Sequence, residues 1–360
     1  MFKFLRRNKA PSALANGGAP ESGGAAPVAA RPARGGAHAA LHGNAETLLQ
    51  RLEWTVIRRL DGMLQGDYRT LLRGFGLDLA DLREYQPQDD VRYIDWNVTA
   101  RLGVPHVREF QEDREVTAWF LLDLSGSIDF GSREVKKRDL AAELTGVLAR
   151  LLTRHGNRVG AVLKGAAHDT HATVIPVRGG RRQVLHLLDS IQRLGARDAA
   201  KADAADGVTT DLSAMLREAH GAIKRRSVVF VLSDFISTPG WEVALAQLAR
   251  RHEVIAVRLY DPVEQALPEL GFVMLQDAET GEQLFLDTQD RGFRERFVAL
   301  AQEREAALRA AFAQSGVDCM ELATTDKLPQ ELLRFIDLRK RRSRLTAGGL
   351  REPLVAALRA

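Results

Sequence analysis

"WFLLDLSGSIDF", residues 119–130, is an apolar run that stops abruptly in acid and hydroxyl groups. Trp119, Phe120, Leu121 and Leu122 predict a strand buried on both faces. Asp123, Ser125, Gly126 and Ser127 follow at once. Buried oxygens without partners are costly, so a core strand that ends in this way needs other segments to come and meet it.

The chain around this stretch repeats one rhythm. "VTAWFLLD" is the first strand of the body. Ser132 is expected to cap the next helix, which carries Leu140, Leu144, Val147, Leu148 and Leu151 on one face and stops at Gly156. "RVGAVLKG" and "THATVIPVR" are expected as a strand pair. "RRQVLHLLDSIQRLG" and "LSAMLREAHGAIKRR" have helical spacing, and "SVVFVLSDF" is a second very apolar strand. "WEVALAQLARRH" and "EVIAVRLYD" repeat helix then strand. A hairpin over 270–287, turning at Glu279–Gly281, precedes a long helix to about residue 314. "VDCMELAT" and "PQELLRFIDLRKRR" close the series. Strands without polar alternation, separated by helices, predict an α/β fold: a doubly wound, mainly parallel sheet covered on both faces, with an N-terminal helical and extended segment packed on it. The expected divisions are a basic Ala/Gly/Pro-rich linker over 1–43, an N-terminal segment over 44–115, the α/β body over 116–345 and a tail over 346–360.

Composition narrows the classes. No apolar run reaches the roughly 18–20 residues that cross a bilayer. The start carries no secretory pattern, and the single cysteine, Cys319, cannot form an internal disulfide. These features predict a cytoplasmic protein. The net charge of +4 is unevenly spread. Residues 1–43 carry +5 and residues 338–360 carry +6, which leaves −7 on the body between them. No specific nucleic acid is therefore expected on the body, and the basic ends read as solubilising tails with at most a peripheral affinity for anionic membrane.

Ligands of doubly wound sheets sit beyond the carboxyl ends of the strands. Three segments can bring oxygens to that edge: Asp123, Ser125 and Ser127; Thr210 in "GVTTDLSAML"; and Asp234 after "VVFVLS". Hydroxyls and two carboxylates suit a hard divalent cation, Mg²⁺ before Mn²⁺ or Ca²⁺, and leave a coordination position for a carboxylate from another protein. Simpler readings stand beside this one. Ser125 and Ser127 can cap the following helix, Thr209 competes with Thr210, and Asp211 reads as a helix N-cap. The pieces "DLSGS", "TTDL" and "LSDF" together resemble the metal-ion-dependent adhesion site of von Willebrand factor type A domains. That resemblance implies the metal set Asp123, Ser125, Ser127, Thr210 and Asp234.

A longer block lies just ahead of the first strand. "LREYQPQDDVRYIDWNVTARLGVPHVREF", residues 82–110, resembles the defining segment of the domain-of-unknown-function 58 family. The matching positions are Arg83, Tyr85, Asp89, Asp90, Arg92, Ile94, Asp95, Trp96, Thr99, Ala100 and Arg101, with Gln88 where that family usually has glycine. "YDPVEQALPELG" and "DAETGE" extend the likeness. The alternating acids and arginines read as a network fastening this segment to the body, or as a docking face. The resemblance implies association with a MoxR-type AAA+ ATPase, and hence an adaptor or co-chaperone for an unknown client protein that contributes an acidic side chain.

Other chemistry is poorly supplied. There is no GxxxxGK[ST], HExxH, CxxC or GxSxG. His168 and His171 flank Asp169 but have no further ligands in view, and Cys319, Trp96 and Trp241 read first as packing residues. The expectation is a non-enzymatic, metal-dependent interaction module. The alternatives are a Mg²⁺-dependent hydrolase of phosphoesters or peptides and a nucleic-acid or membrane-surface binder acting through the tails.

Overall fold

The computed structural model describes residues 6–8, 45–58, 60, 81–87, 91, 94–109, 116–165, 171–201, 211–276 and 283–345. In chain order the strands are β1 (Arg6–Asn8), β2 (Asp81–Glu84), β3 (His106–Glu109), β4 (Thr117–Asp123), β5 (Arg158–Lys164), β6 (Thr173–Arg178), β7 (Val228–Ser233), β8 (Glu253–Tyr260), β9 (Phe272–Gln276), β10 (Gln283–Asp287) and β11 (Asp318–Ala323). The helices are α1 (Ala45–Leu52), α2 (Trp96–Leu102), α3 (Lys137–Arg154), α4 (Gly180–Lys201), α5 (Leu212–Ala222), α6 (Trp241–Arg251), α7 (Arg291–Ser315) and α8 (Leu328–Leu345).

The body is a six-stranded sheet in the order β11-β8-β7-β4-β5-β6. Every pairing is parallel except β5 with β6, which is antiparallel. The expected mainly parallel α/β sheet is therefore present. The side chains of β4 alternate between its two covered faces, which is why the strand has no polar alternation. Ala118, Phe120 and Leu122 join one apolar cluster with residues of α1, α3, α4 and α8. Trp119 and Leu121 join another with residues of α5, α6 and α7. Phe120 stacks on its cross-strand partner Phe230 at 5.3 Å between ring centres.

The first helical stretch of the N-terminal segment packs on the body. Leu48, Leu49 and Leu52 of α1 are buried in the first cluster. Glycine at 146 permits the approach, because a Cβ there would lie 2.9 Å from Leu52 Cδ1 and 3.3 Å from Leu188 Cδ2. Ion pairs from Glu53 to Arg150 at 2.6 Å and from Glu46 to Arg181 at 2.5 Å pin the same contact from its rim.

Two sequence expectations need correction. Ser132 does not cap α3, which begins five residues later at Lys137. The basic run after residue 338 is not all tail, because α8 continues to Leu345. Arg339 pairs with Glu253 at 2.5 Å and Asp318 at 3.0 Å, and Arg342 pairs with Asp318 at 2.5 Å. That part of the positive charge neutralises acids of the sheet. Cys319 is fully buried in β11, and burial pushes its thiol far up.

His252, at the start of β8, is 4% exposed, and neither ring nitrogen has a hydrogen-bond partner among the described residues. Burial, together with Arg251, His220 and Arg226, lowers its pKa to about 4. The unfolded chain therefore takes up a proton between pH 6.5 and 4 that the folded chain refuses, and stability falls as pH is lowered through that window. The loss should reach at most about 3 kcal/mol near pH 4. The stability of the wild type relative to His252→Leu, measured by urea denaturation at pH 7 and pH 5, should fall toward pH 5.

Candidate functional site

The site is built on two adjacent parallel strands. Leu122 of β4 pairs with Leu232 of β7, so Asp123 ends its strand beside Ser233. Asp123 is 2% exposed. Its Oδ2 accepts from Ser233 Oγ at 2.8 Å, and its Oδ1 accepts from the Ser125 amide at 3.1 Å. Ser233 Oγ in turn accepts from the Phe235 amide at 2.9 Å. The hydroxyls of Ser125 and Ser127 lie 3.1 Å apart, both buried. Neither acts as a side-chain helix cap: Ser125 occupies the position before the 3₁₀ turn Gly126–Asp129 and makes no capping bond.

Asp234 enters from the next residue of the β7 end. Its Oδ1 accepts from the Ile236 amide at 3.0 Å. The backbone then turns through Phe235, whose φ of 56° is the one left-handed value outside glycine among the described residues. A bulky residue in that region is strained and persists only when its surroundings hold it. Phe235 is held by Trp241 and Phe312, at 5.1 and 4.9 Å between ring centres. The aromatic contacts thus fix the turn that presents Asp234. Trp241 is buried there, as read, whereas Trp96 is 68% exposed.

Thr209 and Thr210 lie outside the described residues. The residue after them does not: Asp211 caps α5, accepting from the Ala214 amide at 3.0 Å. The next amide, Leu212, donates to Ser237 Oγ at 2.9 Å, three residues beyond Asp234. The start of α5 is therefore hydrogen-bonded to the β7 loop. Of the five residues expected at the site, Asp123, Ser125, Ser127 and Asp234 gather at the carboxyl ends of β4 and β7.

Sequence reading missed three members. Ser233 ties the two carboxyl-terminal strand ends together. Lys137, the first residue of α3, is fully buried, with its ammonium 2.9 Å from both Asp234 Oδ2 and Glu264 Oε1. Glu264 closes a 3₁₀ turn, Pro262–Glu264, after β8, and its Oε2 accepts from the Asp261 amide at 3.3 Å. The signal for Glu264 was its place in "YDPVEQALPELG". Asp261, also fully buried, accepts from the Ser132 amide at 2.8 Å, the Ser132 hydroxyl at 3.0 Å, the Thr324 hydroxyl at 2.7 Å and the Val263 amide at 3.0 Å. This is why Ser132 leaves the helix start. The intervening loop folds back so tightly that a Cβ on Gly131 would lie 2.3 Å from the Val135 carbonyl oxygen.

The electrostatics follow from the burial. Burial raises Asp123 to about 6, the Asp234 charge adds to this, and hydrogen bonds from Ser233 and Ser125 oppose it. Burial likewise raises Glu264 to about 7, against the pull of Lys137 and with a further push from Asp234. For Lys137 burial alone acts downward, but the Asp234 and Glu264 carboxylates outweigh it and hold the ammonium above the ordinary lysine range. Burial accounts first for the raised carboxyls, and the two carboxylates facing Lys137 account for the raised ammonium. Formally Asp123, Asp234 and Glu264 against Lys137 leave −2. Among the described residues no group of three or more His, Cys, Asp or Glu side chains is arranged to hold a metal. A hard cation here would depend on serine hydroxyls as well as carboxylates.

The family block is partly described. Asp89, Asp90 and Arg92 lie outside the described residues. Asp95 caps α2, accepting from the amides of Asn97 at 3.0 Å and Val98 at 3.2 Å. The family model described as "Protein of unknown function DUF58" matches residues 81–307, which takes in this block, both strand ends and Glu264. The chain belongs to the DUF58 family. Among curated proteins it is 36% identical over 293 residues to "Uncharacterized protein Mb1516" of Mycobacterium bovis, covering 81% of this DUF58 chain and 89% of that one. "Uncharacterized protein Rv1480" of Mycobacterium tuberculosis matches to the same extent. "Uncharacterized protein in moxR 3'region" of Paracoccus denitrificans is 33% identical over 105 residues, 29% of this chain and 99% of that one. Among solved structures, conserved hypothetical protein BatB from Bacteroides thetaiotaomicron overlays with a TM-score of 0.38 at 13% identity, covering 63% of this chain and 99% of that one.

Proposed function

We propose that this DUF58 protein is a non-enzymatic interaction module that holds Mg²⁺ at the ends of β4 and β7 and captures an acidic side chain of a partner through the cation. The observation that carries the reading is the buried pair of strand ends. Two carboxylates and three serine hydroxyls converge there, and the nearby charge is short of two positive units. The donor set fits the ion. Mg²⁺ takes oxygen ligands and keeps open or water-filled positions, and a dication balances the formal −2. Asp123 and Asp234 would supply charge, and Ser125 and Ser127 neutral oxygens. The arrangement is in keeping with the adhesion site of von Willebrand factor type A domains, with Thr210 as the further ligand.

The partner we propose is a MoxR-type AAA+ ATPase, with the DUF58 chain acting as adaptor between it and a client. The printed name of the Paracoccus denitrificans relative, which sets it in a moxR 3' region, supports this. The test is direct. The purified chain should retain the ATPase on a column in Mg²⁺ and release it in EDTA. Ser125→Ala with Ser127→Ala should lower retention at least tenfold. Equal retention with and without chelator would refute the cation bridge.

A further inference from the structure

We infer that Lys137 is the resident counter-ion of this site: it holds Asp234 while the cation is absent and passes to Glu264 when the cation binds. The inference rests on the metal reading above and goes beyond it, by assigning the site a built-in competitor.

The placement of Lys137 is otherwise hard to explain. It is the first residue of α3, where the helix N-terminus favours negative charge and disfavours an ammonium. It is fully buried, and a buried ion pair is on average no more stable than a well-packed apolar pair of the same size. Its Nζ also lies 6.0 Å from the centre of the Phe130 ring, so a methionine stem would find apolar company there. What an apolar residue cannot do is neutralise Asp234.

The geometry offers the ammonium two berths. Asp234 Oδ2 and Glu264 Oε1 each stand 2.9 Å from Nζ. Asp234 can therefore be drawn toward a cation without stranding Lys137, because Glu264 remains in contact. Glu264 is itself anchored: its second oxygen is tied to the Asp261 amide, and Asp261 is fixed by Ser132, Thr324 and Val263. The second oxygen of each carboxylate accepts from a backbone amide of its own loop, Asp234 from Ile236 at 3.0 Å and Glu264 from Asp261 at 3.3 Å, which leaves the oxygen facing Lys137 available in both. The lysine thus takes the place of the cation's charge in the resting protein, and a cation must displace it.

Two measurements on the full chain test this. In the first, ¹⁵N-lysine side-chain spectra follow the Lys137 ammonium as Mg²⁺ is added to the wild-type protein. The signal, assigned by its absence in Lys137→Met, should move in step with Mg²⁺ uptake measured by calorimetry. A signal that stays fixed while Mg²⁺ binds overturns the inference. The second is a double-mutant cycle in Mg²⁺ affinity. Lys137→Met should bind Mg²⁺ about tenfold more tightly, and Glu264→Gln about tenfold more weakly, because the lysine then has only Asp234. In the Lys137→Met background Glu264→Gln should have little effect. A simple long-range field would make the two changes additive, and additivity would refute the exchange. Lys137→Gln serves in place of methionine if that variant does not fold. If the wild-type chain takes up neither Mg²⁺ nor Mn²⁺, the metal reading itself fails and the exchange fails with it.

Discussion

Asp123→Asn is expected to abolish Mg²⁺ uptake and, at the same time, to make the metal-free protein more stable above pH 6. The two effects have one cause. Asparagine keeps an acceptor for Ser233 or Ser125 but removes a charge that burial and Asp234 disfavour. Asp123 is pushed up to about 6 in the folded protein, above the ordinary carboxyl value of 3.8. The folded protein therefore binds the proton more tightly than the unfolded one. Its stability falls as pH rises from about 4 to about 6 and stays reduced above that, by about 3 kcal/mol for a shift of this size. Asparagine has no such slope. Urea denaturation at pH 5 and pH 8, without metal, should show wild type losing stability relative to the variant toward pH 8, the contributions of His252 and Glu264 being common to both. Mg²⁺ at pH 8 should restore wild type and leave the variant unchanged. A wild-type protein insensitive to Mg²⁺ at pH 8 would contradict this account.

Asp261→Ala should be the more damaging substitution for the fold, costing about 4 kcal/mol. Asp261 gathers the loop after β4, the turn after β8 and the end of β11 through Ser132, Val263 and Thr324. Alanine leaves the buried Thr324 hydroxyl and the half-buried Ser132 and Val263 amides without this acceptor, which costs more than the bonds alone contribute. Burial alone would raise the Asp261 carboxyl, but the hydrogen bonds from Ser132, Thr324 and Val263 outweigh it and hold the group below the usual range. Its contribution is thus in full force above about pH 4 and disappears as pH falls through the folded-state value. Chemical denaturation at pH 7 should resolve the loss, and hydrogen exchange at the Ser132 amide should accelerate. Unchanged exchange at Ser132 would mean that the loop is held by something else.

The strands and helices were largely legible in the sequence, because burial on both faces leaves a plain signature. "TAWFLLD", "VVFVLS" and "EVIAVRLY" could be little else, and the abrupt oxygens after the first two marked the strand ends. Residues whose role depends on distant partners were not legible. Lys137 sits in "EVKKRD", where it looks like one of two solvated lysines, yet Lys136 is partly exposed beside Asp129 and Lys137 is fully buried between Asp234 and Glu264. Ser132 had every local mark of a helix cap, but the carboxylate of Asp261, 129 residues away, outcompetes the helix for its amide and hydroxyl. Arg339 and Arg342 were counted with a solvated tail, although acids of β8 and β11 claim them. Sequence periodicity reports which face a residue occupies, not which charge stands across from it.

The strand order has a consequence for when the site comes into being. Asp123 is hydrogen-bonded to Ser233, 110 residues further along, and the carboxylate shared with Lys137 arrives only at Glu264. A chain emerging from the ribosome has made Asp123 and its serines long before their neighbours exist, and central pairings this distant in sequence close late. The cluster is therefore absent until most of the polypeptide has been synthesised and collapsed, so the capture proposed for it would be open only to a finished copy.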